Sequence, residues 1–298
     1  MTDLAVIASA AVVSELPVLE RELAARGAQF SVSLAAEEGD ATRLTREALG
    51  RGERFLVAAG GDSTVHEVVN GLIRDEEPVP QYLDLGVVAA NSGCDFVKTF
   101  GLPGDTEGAC RHLFTGNYYD LDLVKLTCAG PNGQERVRYF ANLAQAGLGA
   151  AVTVRTKRLP RFLGRARKFL GFWLTIPVFR TRDVSVTIGR KSYDGPANNV
   201  VVANCQFAGG GLRLSPRSYP GDGVLDVLVM KGPKSDAFTT LPSMWRGEHV
   251  PSDHIAEMSG KEIRIDASRP MVLEADGELV GFTPATFEVI PRAIRLRV

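Results

Sequence analysis

Five apolar residues, Phe55 to Ala59, run straight into Gly60-Gly61, and Thr64 to Ile73 then places its apolar residues at helical spacing. A strand must stop at the glycine pair and a helix must start from it. Such a unit needs neighbours of the same kind, because one strand and one helix cannot cover each other's apolar faces. The flanking sequence supplies them. Leu4 to Ala10 and Phe30 to Leu34 read as strands, and Leu85 to Ala89 is a further apolar run. Ser14 to Gly27, Gly39-Asp40 to Gly50 and Thr106 to Phe114 read as helices with caps or glycine stops. The alternation predicts a mostly parallel sheet with helices on both faces.

After Tyr119 the texture changes. Asp120 to Leu126, Val184 to Ile188 and Val224 to Val229 alternate with period two, and Pro131-Asn132-Gly133 and Asp194-Gly195 read as turns. That pattern predicts an antiparallel β domain. The expected division is residues 1–121 for the α/β part and 122–283 for the β part, with ligands expected where the two halves meet.

The bulk properties fit two folded units: 298 residues, 45% hydrophobic and 23% charged. A net charge of -1 gives no global attraction to nucleic acid, so no nucleic-acid partner is expected. Arg155 to Arg182 is a local exception, rich in Arg and Lys, interleaved with Leu, Phe and Trp173, and free of acids until Asp183. It reads either as a basic amphipathic helix for an anionic bilayer or as a solvated helix whose aromatic face packs on its own domain. Cys94, Cys110, Cys128 and Cys205 lie too far apart for zinc or redox pairs and are expected as reduced thiols, and His249 and His254 lack metal-site spacing. The start carries no basic leader, and no apolar stretch is long enough to span a bilayer. The protein is expected in the cytoplasm, reaching at most the membrane periphery.

Backbone N–H groups where a glycine turn enters a helix make an anion site, and the helix dipole adds to it. Gly60, Gly61, Asp62, Ser63 and Thr64 therefore suit nucleotide phosphates, with Asp62 serving a metal ion or a hydrogen bond. The same residues also fit a plain turn with an N-cap. Gly147-Leu148-Gly149-Ala150-Ala151 suggests a dinucleotide motif, but it sits in the β-rich half without the strand, helix and acid that motif requires.

Gly60 to Leu72 resembles the G-G-D-G-T-x-x-E-V-x-N-G-L signature of the diacylglycerol kinase catalytic-domain family, which includes bacterial soluble lipid kinases and sphingosine kinases. Three further blocks agree in order: Gly93-Cys94-Asp95-Phe96 with Gly101-Leu102-Pro103, Gly209-Gly210-Gly211 to Pro216 with Asp222-Gly223-Val224-Leu225-Asp226-Val227, and Asp276-Gly277-Glu278.

The resemblance implies a Rossmann-like α/β nucleotide-binding domain of the NAD kinase and phosphofructokinase kind. To it are joined an antiparallel β-sandwich and a closing segment, about residues 284–298, that returns to the first domain. It implies transfer of the ATP γ-phosphoryl group to diacylglycerol or a related lipid alcohol met at the membrane surface, and it allows a homodimer. Gly60 through Glu67, including Val65 and His66, would cradle ATP, with Ser92 as a further nucleotide contact. Glu278 would be the base, assisted by Asp276, with Asp62 also in the catalytic set. Asp222 and the carbonyls of Tyr219 and Val224 would hold a structural Mg²⁺.

Five departures from the family pattern stand out. Ala8-Ser9-Ala10-Ala11-Val12 replaces an Asn-Pro-x-Ser/Ala-Gly turn, and Ala35 stands for a Thr-type contact. Asn91-Ser92 replaces Gly-Thr, Cys94 replaces Asn, and Ser63 replaces the third loop glycine. A positive φ at Ser63 would cost about 1 kcal/mol. Two alternatives therefore stand beside the lipid kinase: a relative that binds lipid or nucleotide without turnover, and an NAD kinase-like enzyme.

Overall fold

The computed structural model describes residues 3–74, 77–78, 83–164 and 166–298; Met1, Thr2 and Arg165 lie outside them. The chain forms two compact units, Met1–Leu123 with Pro291–Val298, and Val124–Ile290.

The first unit runs β1 (Asp3–Ser9), α1 (Leu16–Ala25), β2 (Gln29–Ala35), α2 (Asp40–Gly50), β3 (Phe55–Ala59), α3 (Asp62–Gly71), β4 (Asp84–Val88), α4 (Phe96–Thr99) and α5 (Thr106–His112). Its strands lie in the order β2-β1-β3-β4, all parallel, in the register Val6↔Val32, Val6↔Val57 and Val57↔Gly86. Central strands buried on both faces are apolar along most of their length, and every residue of β3 and β4 is buried, with Asp84 at the start of β4 the one charged residue of the two. Leu19 and Leu23, one turn apart on α1, pack on Leu4, Val6 and Val57. The first helix differs from the expected span: a 3-10 helix, Ala10–Glu15, precedes α1, and Pro17 sits in the first turn of α1, where its missing N–H costs nothing.

The second unit begins within β5 (Tyr118–Ala129) and continues with β6 (Glu135–Phe140), β7 (Leu143–Gly147), α6 (Leu148–Arg158), α7 (Ala166–Thr175), β8 (Arg182–Ile188), β9 (Lys191–Ala197) and β10 (Asn199–Ala203). Then follow β11 (Leu225–Met230), α8 (Asp236–Arg246), β12 (Ile255–Gly260), β13 (Glu262–Ala267), β14 (Val272–Ala275) and β15 (Glu278–Arg297). Two antiparallel runs, β12-β11-β10-β7-β14 and β9-β8-β13, both join β15. Their inner faces supply the core with period two: Val200 and Val202 from β10 and Val227 and Val229 from β11, with Val184 and Val186 from β8 and Ile263 and Ile265 from β13.

Two sequence expectations are corrected in this unit. Asp194-Gly195 is not a turn but part of β9, paired with Ser185 and Val184, and the hairpin bends at Gly189, φ +57°, which a glycine adopts without a Cβ clash. The basic stretch is not one helix. α6 ends at Arg158, ahead of Pro160, and α7 starts at Ala166.

The end of β15 returns to the first unit as a fifth parallel strand, Arg295↔Asp84 and Leu296↔Leu85. The buried Asp84 carboxylate accepts hydrogen bonds from the guanidinium groups of Arg295 and Arg297. Among the described residues no helix is long and apolar enough to cross a membrane. The four cysteines are buried and unbridged.

Candidate active site

β3 delivers the chain to Gly60, whose N–H donates to the Val88 carbonyl at 2.9 Å. A Cβ on Gly60 would lie 2.3 Å from Thr64 Oγ1 and 2.7 Å from Ser9 Oγ, so only glycine fits. α3 then starts at Asp62 with Gly61 as its cap residue, and a Cβ on Gly61 would meet nothing nearer than Ser92 Oγ at 3.6 Å. The turn therefore leaves the first amides of a ten-residue helix uncovered by side chains, the arrangement that suits an anion. Ser9 Oγ is buried beside the turn without a hydrogen-bond partner, an orphan that a ligand oxygen would satisfy.

Ser63 lies in the first turn of α3 and has no positive φ, so the conformational cost expected for it does not arise. The left-handed residues are elsewhere. Ala90 and Asn91 have φ of +46° and +60°, followed by Gly93 at +83°. Asn tolerates that region better than most residues, so Asn91 holds its left-handed backbone at little cost. Ser92 retains a hydroxyl. Ala90 carries no such tolerance, and its conformation marks stored strain next to the turn.

Asp62 Oδ1 accepts the N–H groups of Asp95 and Phe96, both at 2.9 Å, and the Cys94 thiol at 3.4 Å. The carboxylate thus ties the Gly93–Phe96 loop to the start of α3. Cys94 in the family's Asn place still donates to Asp62, and burial, followed by the charge of Asp62, pushes its thiol well above the usual range. Glu67 serves another joint: Oε1 accepts the Gly39 N–H at 3.0 Å and Oε2 the Ala41 N–H at 2.9 Å, capping α2. Thr64, Val65 and His66 are buried.

In the second unit Asp276 and Gly277, φ +51° and +82°, form a two-residue turn with both central residues left-handed, joining Ala275 to Glu278. Asp276 is buried, and its carboxylate accepts three backbone N–H groups, from Ala141 at 3.2 Å, Asn142 at 3.1 Å and Leu143 at 3.2 Å. It anchors the hairpin to the start of β7. Glu278, with a side chain 20% exposed, meets Lys157 Nζ of α6 at 2.5 Å.

Lys157 and Glu274 were not singled out by the sequence reading. Glu274 is buried on β14, where Gln145 Nε2 donates to it at 2.5 Å and Thr153 Oγ1 at 2.9 Å, and burial pushes its carboxyl upward. Thr153 and Lys157 are one turn apart on α6, so one helix face meets both Glu274 and Glu278. Gln145 also explains the Gly147-Leu148-Gly149 motif. A Cβ on Gly149 would lie 2.0 Å from Gln145 Oε1, so the second glycine makes room for a side chain and not for a pyrophosphate.

Tyr219, Asp222 and Val224 form a turn: Asp222 Oδ1 accepts the Val224 N–H at 2.9 Å and the Tyr219 carbonyl accepts the Gly221 N–H at 2.8 Å. Burial first, then the charges of Asp222 and Glu257, push the Asp226 carboxyl upward beside it. Oxygen donors in an excess of negative charge suit a hard cation. Among the described residues no three His, Cys, Asp or Glu side chains converge on a metal position, so carbonyls would have to complete the shell. His249 and His254 instead bond the Leu214 carbonyl and the Asp236 carboxylate.

Comparison with known proteins bears on both units. Residues 9–126 match the diacylglycerol kinase catalytic domain, and residues 142–298 match the YegS C-terminal NAD kinase beta sandwich-like domain. A diacylglycerol kinase of Bacillus subtilis is 29% identical over 273 residues, 91% of this chain and 86% of the relative. A Stenotrophomonas maltophilia protein named "Probable lipid kinase YegS-like" is 28% identical over 280 residues, 92% of this chain and 88% of the relative. Among solved structures, a diacylglycerol kinase from Bacillus anthracis superposes with a TM-score of 0.72 at 19% identity, over 99% of this chain and 96% of the other. An NAD kinase from Archaeoglobus fulgidus, in complex with ATP, does so with 0.52 at 14% identity, over 99% and 93%. These two show the fold: a parallel α/β domain and a β-sandwich domain. With its glycine turn, its Asp-Gly-Glu hairpin and matches to both family domains, the chain belongs to the diacylglycerol kinase and YegS-like family of lipid kinases.

Proposed function

We propose that the protein transfers the γ-phosphoryl group of ATP to the hydroxyl of diacylglycerol or a related long-chain lipid alcohol taken from a membrane surface. The observation that carries this reading is the state of the glycine turn. Ser63, Asn91, Ser92 and Cys94 differ in identity from the family pattern, yet Ser63 is helical, Asn91 is left-handed, and Cys94 still donates to Asp62. The loop is thereby tied to the start of α3, whose first amides stay uncovered for an anion.

In this reading the ATP phosphates lie against the start of α3, where the amides of Gly61, Asp62 and Ser63 open the Gly60–Glu67 segment, with Ser9 and Ser92 hydroxyls adding hydrogen bonds. Asp62 positions the loop and does not touch the phosphates. Glu278 takes the proton of the lipid hydroxyl as the oxygen attacks the γ-phosphorus, and Lys157 holds its carboxylate in place. Asp276 fixes the hairpin that presents Glu278. Mg²⁺ held by Asp222 with the carbonyls of Tyr219 and Val224 would brace the 219–224 turn as a structural cation.

The test is phosphoryl transfer from labelled ATP to diacylglycerol, other long-chain alcohols and NAD, with ATP binding titrated with and without Mg²⁺. Lipid phosphorylation that is lost in Glu278→Gln supports the reading. NAD phosphorylation in place of lipid, or ATP binding without turnover on any lipid, would overturn it.

A further inference from the structure

α6 carries Lys157, yet little apolar packing fixes that helix. Ala150 is its one buried residue, so the rotation of α6 about its own axis must be set by polar contacts. Lys157 itself cannot set it. Its pair with Glu278 leaves the lysine side chain 42% exposed, and an ion pair open to water holds two long side chains only weakly.

The polar contacts form one chain across three neighbouring strands, from Asn199 on β10 through Gln145 on β7 to Glu274 on β14. Asn199 Nδ2 donates to Gln145 Oε1 at 2.9 Å, and Gln145 Nε2 donates to Glu274 Oε1 at 2.5 Å. Both ends of the chain reach α6. Asn199 Oδ1 accepts the Gly149 N–H at 3.1 Å, and Thr153 Oγ1 donates to Glu274 Oε2 at 2.9 Å. The helix is therefore gripped at its start and again one turn later.

The direction of these bonds makes Glu274 the fixed member. Gln145 and Thr153 both donate toward it, so the position requires a side chain that accepts twice. An apolar residue there would strand a buried amide and a hydroxyl. Thr153 shows the pull. A helical threonine ordinarily returns its hydroxyl to the carbonyl four residues back, but the Gly149 carbonyl is 3.4 Å away and Glu274 is nearer, at 2.9 Å. Glu274 is only 4% exposed and has no face to offer a substrate, so any part it plays in the reaction passes through its neighbours.

We propose that Glu274 is a positioning residue: through Thr153 it fixes the rotation of α6, and with it the place from which Lys157 meets Glu278. This rests on the lipid-kinase reading, in which Glu278 is the base. The influence runs one way, from the buried strand to the exposed end of the helix.

The experiment measures kcat and the KM for ATP on diacylglycerol in neutral detergent micelles, together with amide hydrogen exchange over residues 150–158. Thr153→Val, which has threonine's shape without the hydroxyl, should lower kcat roughly 10- to 100-fold, the loss that follows displacement of a positioning group, with the KM for ATP unchanged. Lys157→Met should lower kcat by a similar factor, and the double variant Thr153→Val/Lys157→Met no further, because both act through one contact. Thr153→Ser, which keeps the hydroxyl, should recover most of the loss. Exchange should quicken in Thr153→Val and stay at the wild-type rate in Lys157→Met. Glu274→Met should follow Thr153→Val; if it fails to fold, Thr153→Val decides, since it leaves the strands intact. Losses that multiply in the double variant, a kcat unchanged in Thr153→Val, or exchange quickened equally by Lys157→Met would overturn the proposal while leaving the kinase reading in place. A wild-type protein that transfers phosphate to no lipid alcohol would overturn the kinase reading, and this inference with it.

Discussion

The glycine turn of the first unit and the Asp-Gly-Glu hairpin of the second both present acidic residues next to left-handed backbone, yet they use them differently. In the turn, Asp62 and Glu67 are committed to backbone amides of other segments, and the surface offered to a ligand is the uncovered start of α3. In the hairpin, one acid, Asp276, is committed in the same way, and the next, Glu278, faces a side chain, Lys157. Three of these four acids hold loops in place. The fourth, Glu278, is held by a side chain alone. A motif letter shared with a family thus says that a carboxylate is needed without saying whether it touches the ligand.

That contrast can be broken by substitution, beginning with the largest effect. Glu278→Gln should lower turnover by roughly 10² to 10⁴-fold, the range for a lost general base, while the thermal transition stays within a degree or two. A folded, fully active variant would remove Glu278 from the reaction. Asp276→Ala leaves three amides without their acceptor in a buried place, and the urea midpoint should shift by the equivalent of roughly 3 kcal/mol. Loss of activity at unchanged stability would show that Asp276 acts on substrate.

Glu67→Ala uncovers two amides at the start of α2 and should cost about 1–2 kcal/mol in the same unfolding measurement, with ATP affinity reduced only as far as α3 shifts. An ATP affinity lost at full stability would return Glu67 to the nucleotide. The smallest change is expected for Ala90→Gly, which relieves a left-handed alanine and should raise stability by at most about 1 kcal/mol. A drop in stability would mean that the Ala90 methyl is needed where it stands.

The alternation of strand and helix up to His112 was legible because buried parallel strands are apolar over runs such as Phe55–Ala59 and Leu85–Val88 and most of their helices start or stop at glycines or caps. The turn at Asp194-Gly195 was misread because glycine inside a strand has the same letter as glycine in a bend. The split of the basic stretch was written in Pro160 but outweighed by the run of basic and aromatic residues. The duties of Asp62, Glu67 and Asp276 were not legible, since the amides they accept lie up to 135 residues away and amides have no letter of their own. Ala90 gave no signal at all. Asn91 and Gly93 beside it did.

The return of residues 291–298 to the first unit has a consequence for how the chain is made. That unit's four other strands are synthesised first, but its fifth arrives only after the whole β-sandwich. Until then Asp84 is a carboxylate in an apolar sheet edge without its two guanidinium partners. A chain truncated before residue 291 should therefore keep the sandwich strands and lack the fifth strand of the first sheet, so that the state of the first unit depends on residues 291–298.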